Sequence, residues 1–364
     1  MHPQSARRLA RVTLLIPITL LAACAIPEIP SAAPIFQQTW VVPSDSVTVG
    51  VTQILPAGVV VNGAGTAFVV TTPGANINTT LGAVCGQAAC QSGVTVSAPV
   101  PAFTSGAGAL STTIAFPSGV AGAAVTGGTV SLAVTNNLGF DPLRPNGAAT
   151  APFGRIIAVM TSGTATRTDT IVGSAAQGMP NGALTNLQFT LPVGTYTGSL
   201  SIAISLVVPA GAVASLNAAN ALVVATSLQN LAVSQATVAV TNRAINATPS
   251  AFDLSDIDFA DQVEGGGLIL DILNPFTATA ALNIVISAGL VTITKPVNVP
   301  ATPTSTTSVT LTKAELQSLL GKPNVTIGAS GTANGTGAGN TVAVSPAQRI
   351  TVRTKIQIVL NVGG

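Results

Sequence analysis

From Trp40 to the last residues the chain repeats one pattern: a short stretch in which apolar and polar side chains alternate, then glycine, proline or asparagine. "SVTVGV" (46–51), "TAFVV" (66–70), "GTVSLAVTN" (128–136), "SLSIAISLVV" (199–208), "ATVAVTN" (236–242), "GLILDIL" (267–273), "LNIVIS" (282–287) and "ITVRTKIQIVL" (350–360) all follow it. A period of two puts alternate side chains on opposite faces of an extended chain. Valine, isoleucine and threonine fit a pleated surface better than a helix. Many short strands without long helices between them predict antiparallel packing. The expected fold is all-β: two immunoglobulin-like antiparallel β-sandwich units behind a signal peptide and a short tether.

An internal repeat supports two units. "GGTVSLAVTNNLGFDPL" (127–143) resembles "GGGLILDILNPFTATAAL" (265–282), and aligning Val130, Leu132, Val134 and Asn136 with Leu268, Leu270, Ile272 and Asn274 keeps the strand phase. A second match pairs "QATVAVTNRAI" (235–245) with "QRITVRTKIQI" (348–358). The expected division is residues 1–23 as signal peptide, 24–43 as tether, 44–248 as the first sandwich with an N-terminal extension, and 249–364 as the second. One helix is expected: Thr312 and Glu315 stand at capping-box spacing, Leu316, Leu319 and Leu320 form the apolar face, and Gly321 then Pro323 end it. Residues 210–222 fit either a short helix or an irregular crossover.

The N-terminus has a different grammar. Arg7, Arg8 and Arg11 precede an apolar run from Val12 to Ala23, the order of an export signal. Twelve residues are too few to span a bilayer core, which takes about twenty in a helix. Leu21-Ala22-Ala23-Cys24 resembles the lipobox of bacterial lipoproteins. That resemblance implies cleavage before Cys24 and lipidation of Cys24, so the membrane is the expected partner through a lipid anchor. Ordinary cleavage after Ala25 is the alternative. The residue after Cys24 is Ala25 rather than the aspartate that resembles an inner-membrane retention signal, which points to the outer membrane of a two-membrane cell envelope. The following "AIPEIPSAAP" reads as an extended spacer, because each proline blocks helix.

Composition narrows the chemistry. Without the three arginines of residues 1–23, ten Lys/Arg face eleven Asp/Glu, and no basic cluster is left to neutralise phosphates, so no nucleic acid is expected as a partner. Arg349, Arg353 and Lys355 fit alternating outward positions of one strand. His2 is the only histidine and lies in the signal, leaving no imidazole for a nucleophile relay or an ordinary zinc site. There is no G-x-S-x-G elbow and no Ser-x-x-Lys pair, and Gly335–Gly339 lacks the Lys-Ser/Thr ending of a phosphate loop. No enzymatic activity, catalytic residue, metal or cofactor is expected.

Two cysteines remain besides Cys24, and in an exported chain Cys85 and Cys90 read as a disulfide stapling a short loop, worth about 2 kcal/mol. Redox catalysis would prefer C-x-x-C, and a metal would need more ligands. "FDLSDIDFADQVEGG" gathers Asp253, Asp256, Asp258, Asp261 and Glu264. It lacks the spacing of an EF-hand loop, and a surface strand-and-turn with Leu254, Ile257 and Phe259 inward competes with calcium binding. Trp40 with Phe36 is expected to pack where the tether meets the body, and Tyr196 to lie at a strand edge.

In the second unit, a strand ending in Asn274-Pro275-Phe276, then "LNIVIS", "VTITKP" and "TSVTLTKAELQSLLG", resembles the late-embryogenesis-abundant type 2, or water-stress-and-hypersensitivity, domain over residues 253–360. The resemblance implies a seven-stranded immunoglobulin-like sandwich without enzymatic activity. The first unit has Asn136-Asn137 where that family's Asn-Pro would stand. The expected function is a non-enzymatic, membrane-anchored envelope lipoprotein with a structural or binding role. A lipid or small-molecule carrier with an apolar pocket, or a surface adhesin, are the alternatives. A transmembrane barrel would want aromatic girdles, which ten phenylalanines, one tryptophan and one tyrosine do not supply.

Overall fold

The computed structural model describes residues 35–106 and 108–362, the side chains of 44 and 45 excepted. Cys24, the signal segment and residues 24–34 of the expected tether lie outside the described residues. What is described is all-β, in antiparallel sheets with only short helical turns between them. The alternation of the sequence becomes alternation of burial. Along Ser199–Val208, for example, Leu200, Ile202, Ile204, Leu206 and Val208 all point into the core.

The sheets fall into two sets with one strand order. In the first set, Ala183–Thr190, Val120–Asn136 and Ala221–Ala239 lie side by side. The far edge of Ala221–Ala239 is shared by Ala75–Thr80, Phe68–Val70 and Thr341–Val344. Facing this sheet is the order Ala165–Val172, Arg155–Ser162, Ser199–Val208, with Phe103–Thr104 and Ser111–Ala115 on the last edge. The second set repeats the scheme. Thr304–Leu311, Val263–Leu273, Arg349–Val362 and Phe36–Gly50 make one sheet, and Val291–Val299, Ala278–Ala288, Val325–Gly335 and Arg243–Phe252 the other.

The sets are not contiguous in sequence, and here the structure differs from the expected division at 248/249. Phe36–Pro43, read as tether, is strand, and its partner is the C-terminal strand: Phe36 stands opposite Val362 and Gly50 opposite Arg349. Pro43 looked like the end of a tether because proline removes a ladder donor. It is accommodated because the strand is paired on one side only and its register shifts between Pro43 and Ser46. Arg243–Phe252 belongs to the second set, whereas Thr341–Val344, deep in the second half of the sequence, pairs with the first. Gln53 and Arg243 tie these crossings together. The Gln53 amide donates to the Asn246 carbonyl at 2.7 Å and accepts from its N–H at 2.8 Å, and the Arg243 guanidinium donates to the carbonyls of Gln53 and Leu55.

The first repeat survives in atomic detail. Asn136, buried, donates through its amide to the carbonyls of Phe140 (2.9 Å) and Met179 (2.6 Å) and accepts from the N–H of Leu138 (3.0 Å). Asn274, equally buried, donates to Ala278 (2.9 Å) and Pro300 (2.9 Å) and accepts from Phe276 (3.1 Å). Each asparagine ends a central strand and clamps the loop four residues on to a distant one. The second match does not hold its register. Asn136 stands opposite Leu222, at the start of Ala221–Ala239, and residues 235–239 are at that strand's other end.

The expected helix is Lys313–Leu319, with the Thr312–Glu315 capping box formed and Leu316 and Leu319 buried. Gly321, at φ +70°, takes the left-handed turn that stops it. A salt bridge from Lys295 at 2.8 Å, followed by the Thr312 N–H bond, holds the Glu315 carboxyl below the usual carboxylate range. Residues 210–222 are not helical: strand Val213–Leu216 is followed by a turn. Tyr196 lies, as expected, on an edge strand, Gly194–Thr197, which pairs with Val120–Asn136 alone, but its side chain is fully buried, stacked on Phe116 with ring centroids 6.1 Å apart. Its hydroxyl donates to the Pro192 carbonyl at 2.7 Å, a link to backbone four residues upstream like that of tyrosine corners in sandwiches. Burial raises the phenol's pKa well above its usual value.

Candidate functional site

Cys85 and Cys90 are joined by a disulfide, with Cα atoms 6.2 Å apart. The ring it closes runs from helical turn Leu81–Cys85, capped by Thr80, to the 3-10 turn Ala88–Cys90. Gln87 is held at its tip, exposed, beside a surface depression of about 670 Å³.

That depression sits at one end of the sheet containing Arg155–Ser162. Register puts Val172, Arg155, Val207 and Thr104 in one row across four strands. The row faces outward, since the alternate residues Ile156, Leu206 and Phe103 are buried. Phe153, Pro209 and Ala102 complete an apolar rim, and Gln87 and Thr104 add hydrogen-bonding groups. Arg155 is therefore a cation flanked laterally by two valines. Arg144, Arg167, Lys295, Lys313 and Lys355 each have a carboxylate partner, and Arg243 has backbone carbonyls. Among the described residues the Arg155 guanidinium has neither, a state it shares with Lys322 and Arg349, while Arg353 meets Asp271 only as a nearby charge. Five donors above apolar walls, with no anion supplied by the protein, are the elements of a site for an anionic group on an apolar body.

The second set carries a cleft of about 630 Å³ lined by Asp271, Thr304, Thr306, Thr351 and Arg353, on the sheet that is the counterpart of the Val120–Asn136 sheet rather than of the sheet bearing Arg155. Here Arg353 stands directly opposite Asp271 in register. Asp271 accepts from Lys355 at 2.7 Å and from Thr306 at 2.9 Å. Those bonds, Lys355 first, hold its carboxyl below the usual range. The one carboxylate of this cleft is thus bonded by Lys355, with Arg353 beside it in register.

Between the facing sheets of the first set the described side chains pack closely around a small void. Leu132, Val134, Leu187, Leu222 and Val224 meet Ile156, Ile204 and Leu206 around a void of about 20 Å³. That is room for about one water-sized probe, far short of an acyl chain.

The acidic segment places Leu254 in the core, with Ile257 and Phe259 packed against it, and turns its carboxylates outward. Hydrogen bonds from Ser255 lower the Asp253 pKa, and Glu264 pairs with Lys313 at 3.4 Å. Among the described residues no group of three or more His, Cys, Asp or Glu side chains is gathered to hold a metal. Nor is any described helix long and apolar enough to cross a membrane.

Arg155 was not singled out from the sequence. Its only signal is a lone cation opening the apolar strand "RIIAVM", and nothing local shows that neighbouring strands will set valines on either side.

No protein-family model matches the chain, and no curated protein matches it. Among solved structures, a "putative secreted protein" of Parabacteroides distasonis is 12% identical over 90% of this chain and 100% of that one, with a TM-score of 0.32. A structure of the Gx strain of infectious bursal disease virus is 12% identical over 92% of this chain and 81% of that one, with a TM-score of 0.16. Neither likeness is close enough to carry a function.

Proposed function

We propose that this chain is a non-enzymatic, membrane-anchored cell-envelope lipoprotein with a binding role. In this reading acyl chains on Cys24 hold it at the membrane, and the Arg155 depression receives an anionic ligand with an apolar body. The observation that carries the anchor is cysteine pairing. Cys85 and Cys90 are used up by each other, so the one cysteine left over is the one that ends "LLAAC". Two or more acyl chains give stable anchoring, each buried methylene contributing about 0.8 kcal/mol. Ala25 favours the outer membrane over the inner.

Binding is favoured over turnover by what lines the depression. Arg155, Gln87 and Thr104 can hold an anion, but no acid, imidazole or thiol stands among the lining residues to move a proton. The packed space between the sheets argues against a carrier that encloses its cargo. Any ligand would be held on the outer face.

The anchor is tested by growing cells with an alkyne-bearing fatty acid and comparing wild type with Cys24→Ala. Label on the wild type alone is the expected result. If neither protein is labelled, the anchor reading is wrong.

A further inference from the structure

Several exposed apolar side chains lie close together in sequence where the described chain begins. Ile35 and Phe36 are each 64% exposed, and Trp40 is 43% exposed. Phe36 stands opposite Val362, itself exposed, so the two ends of the described chain meet in one patch. Phe36, Trp40 and Val42 share a face of their strand, and burial declines along it from half-buried Val42 to Phe36. Trp40 is braced edge-on by Phe259, with ring centroids 4.9 Å apart, and keeps much of its ring in solvent. This row leads out of the core toward the side from which the chain's earlier residues must arrive.

Only ten residues separate Cys24 from Ile35. At about 3.6 Å per residue the span is at most about 40 Å, whatever path it takes. We propose that Ile35, Phe36, Trp40 and Val362 form a second membrane contact that lays this end of the body on zwitterionic lipid headgroups beside the acyl anchor; this rests on the Cys24 reading above. A tether this short gives the patch a high effective concentration at the bilayer surface, so weak intrinsic affinity suffices. Tryptophan suits that depth because its ring is apolar and its N–H can stay hydrated or bonded to headgroups. Charge selects the lipid. No Lys or Arg occurs from Cys24 to Gly50, and Asp256, Asp258 and Asp261 flank the bracing Phe259. Anionic lipid would be repelled.

Trp40 is the only tryptophan, so its fluorescence reports on the patch alone. The full-length protein, purified from membranes, is reconstituted into phosphatidylcholine–phosphatidylethanolamine vesicles with and without brominated acyl chains. The expected result is a blue shift of Trp40 emission and quenching of about twofold or more by the brominated lipid. Phe36→Ser should reduce both, as should replacing half the lipid by phosphatidylglycerol. Emission as in detergent, or shielding of Trp40 without lipid quenching (cover by residues 25–34 or by a second copy), overturns the proposal. Unabated quenching in phosphatidylglycerol overturns its charge preference. Cys24→Ala protein with added vesicles separates the two readings. Quenching at high lipid with no acylation on the wild type keeps the patch and loses the anchor, whereas acylation without quenching does the reverse.

Discussion

The two sets of sheets share a skeleton and differ in what they show to water. Both have the same strand order, and both end a central strand in a buried asparagine making the same three hydrogen bonds. Their surface clefts fall on different sheets of that scheme and carry different charges. In the second set Lys355 and Thr306 bond Asp271, and Arg353 stands opposite that carboxylate in register. In the first set Arg155 lies between Val172 and Val207 with no partner among the described residues. Core positions are constrained by packing and by the cost of leaving buried polar groups unpaired. Outward positions are not, so a face can hold its own charges in check or leave one open to a ligand.

The comparison can be broken most completely by cutting the chain. If the second set needs the strand Phe36–Gly50 and the residues from Arg243, then the fragment 249–364 lacks two of its eight strands, one at the edge of each sheet. It should not unfold cooperatively on its own, and adding a peptide of residues 35–50 to fragment 243–364 should recover β-type circular dichroism. Cooperative unfolding of 249–364 alone would show that the two sets are independent after all.

A smaller test addresses the shared skeleton. Asn136→Ala and Asn274→Ala each strand two buried carbonyls and one N–H. Each should destabilise by about 2–4 kcal/mol, read as a shift of the denaturation midpoint. Losses of similar size would support equivalence of the two clamps, and a loss at only one would end it.

Much of this skeleton was legible in the chain. Period-two alternation located the strands, and Thr312 with Glu315 located the capped helix, because both signals are local. Aligning Asn136 with Asn274 found the two clamps, although Pro275, the sharper mark in sequence, makes neither amide bond through its own side chain. What failed was pairing. Alternation says which face a residue takes, not which strand lies beside it, so Phe36–Pro43 passed for tether and Thr341–Val344 for part of the second unit. Tyr196 does sit on an edge strand, but nothing local shows that its ring turns inward and its hydroxyl reaches the Pro192 carbonyl. The candidate site was invisible on the same ground, since Arg155 becomes notable only when strands about twenty and fifty residues away set Val172 and Val207 against it.

The central claim is that Arg155, flanked by valines, receives a ligand and Arg353, opposite Asp271, does not, and titration calorimetry with laurate tests it directly. Laurate is a carboxylate on an apolar chain, and Arg155→Gln keeps polarity while removing the charge. Wild type and Arg353→Gln should bind laurate alike, with Arg155→Gln weaker by about tenfold, as expected for one charge-assisted contact at an exposed site. Equal binding by all three proteins, or a loss confined to Arg353→Gln, would contradict it.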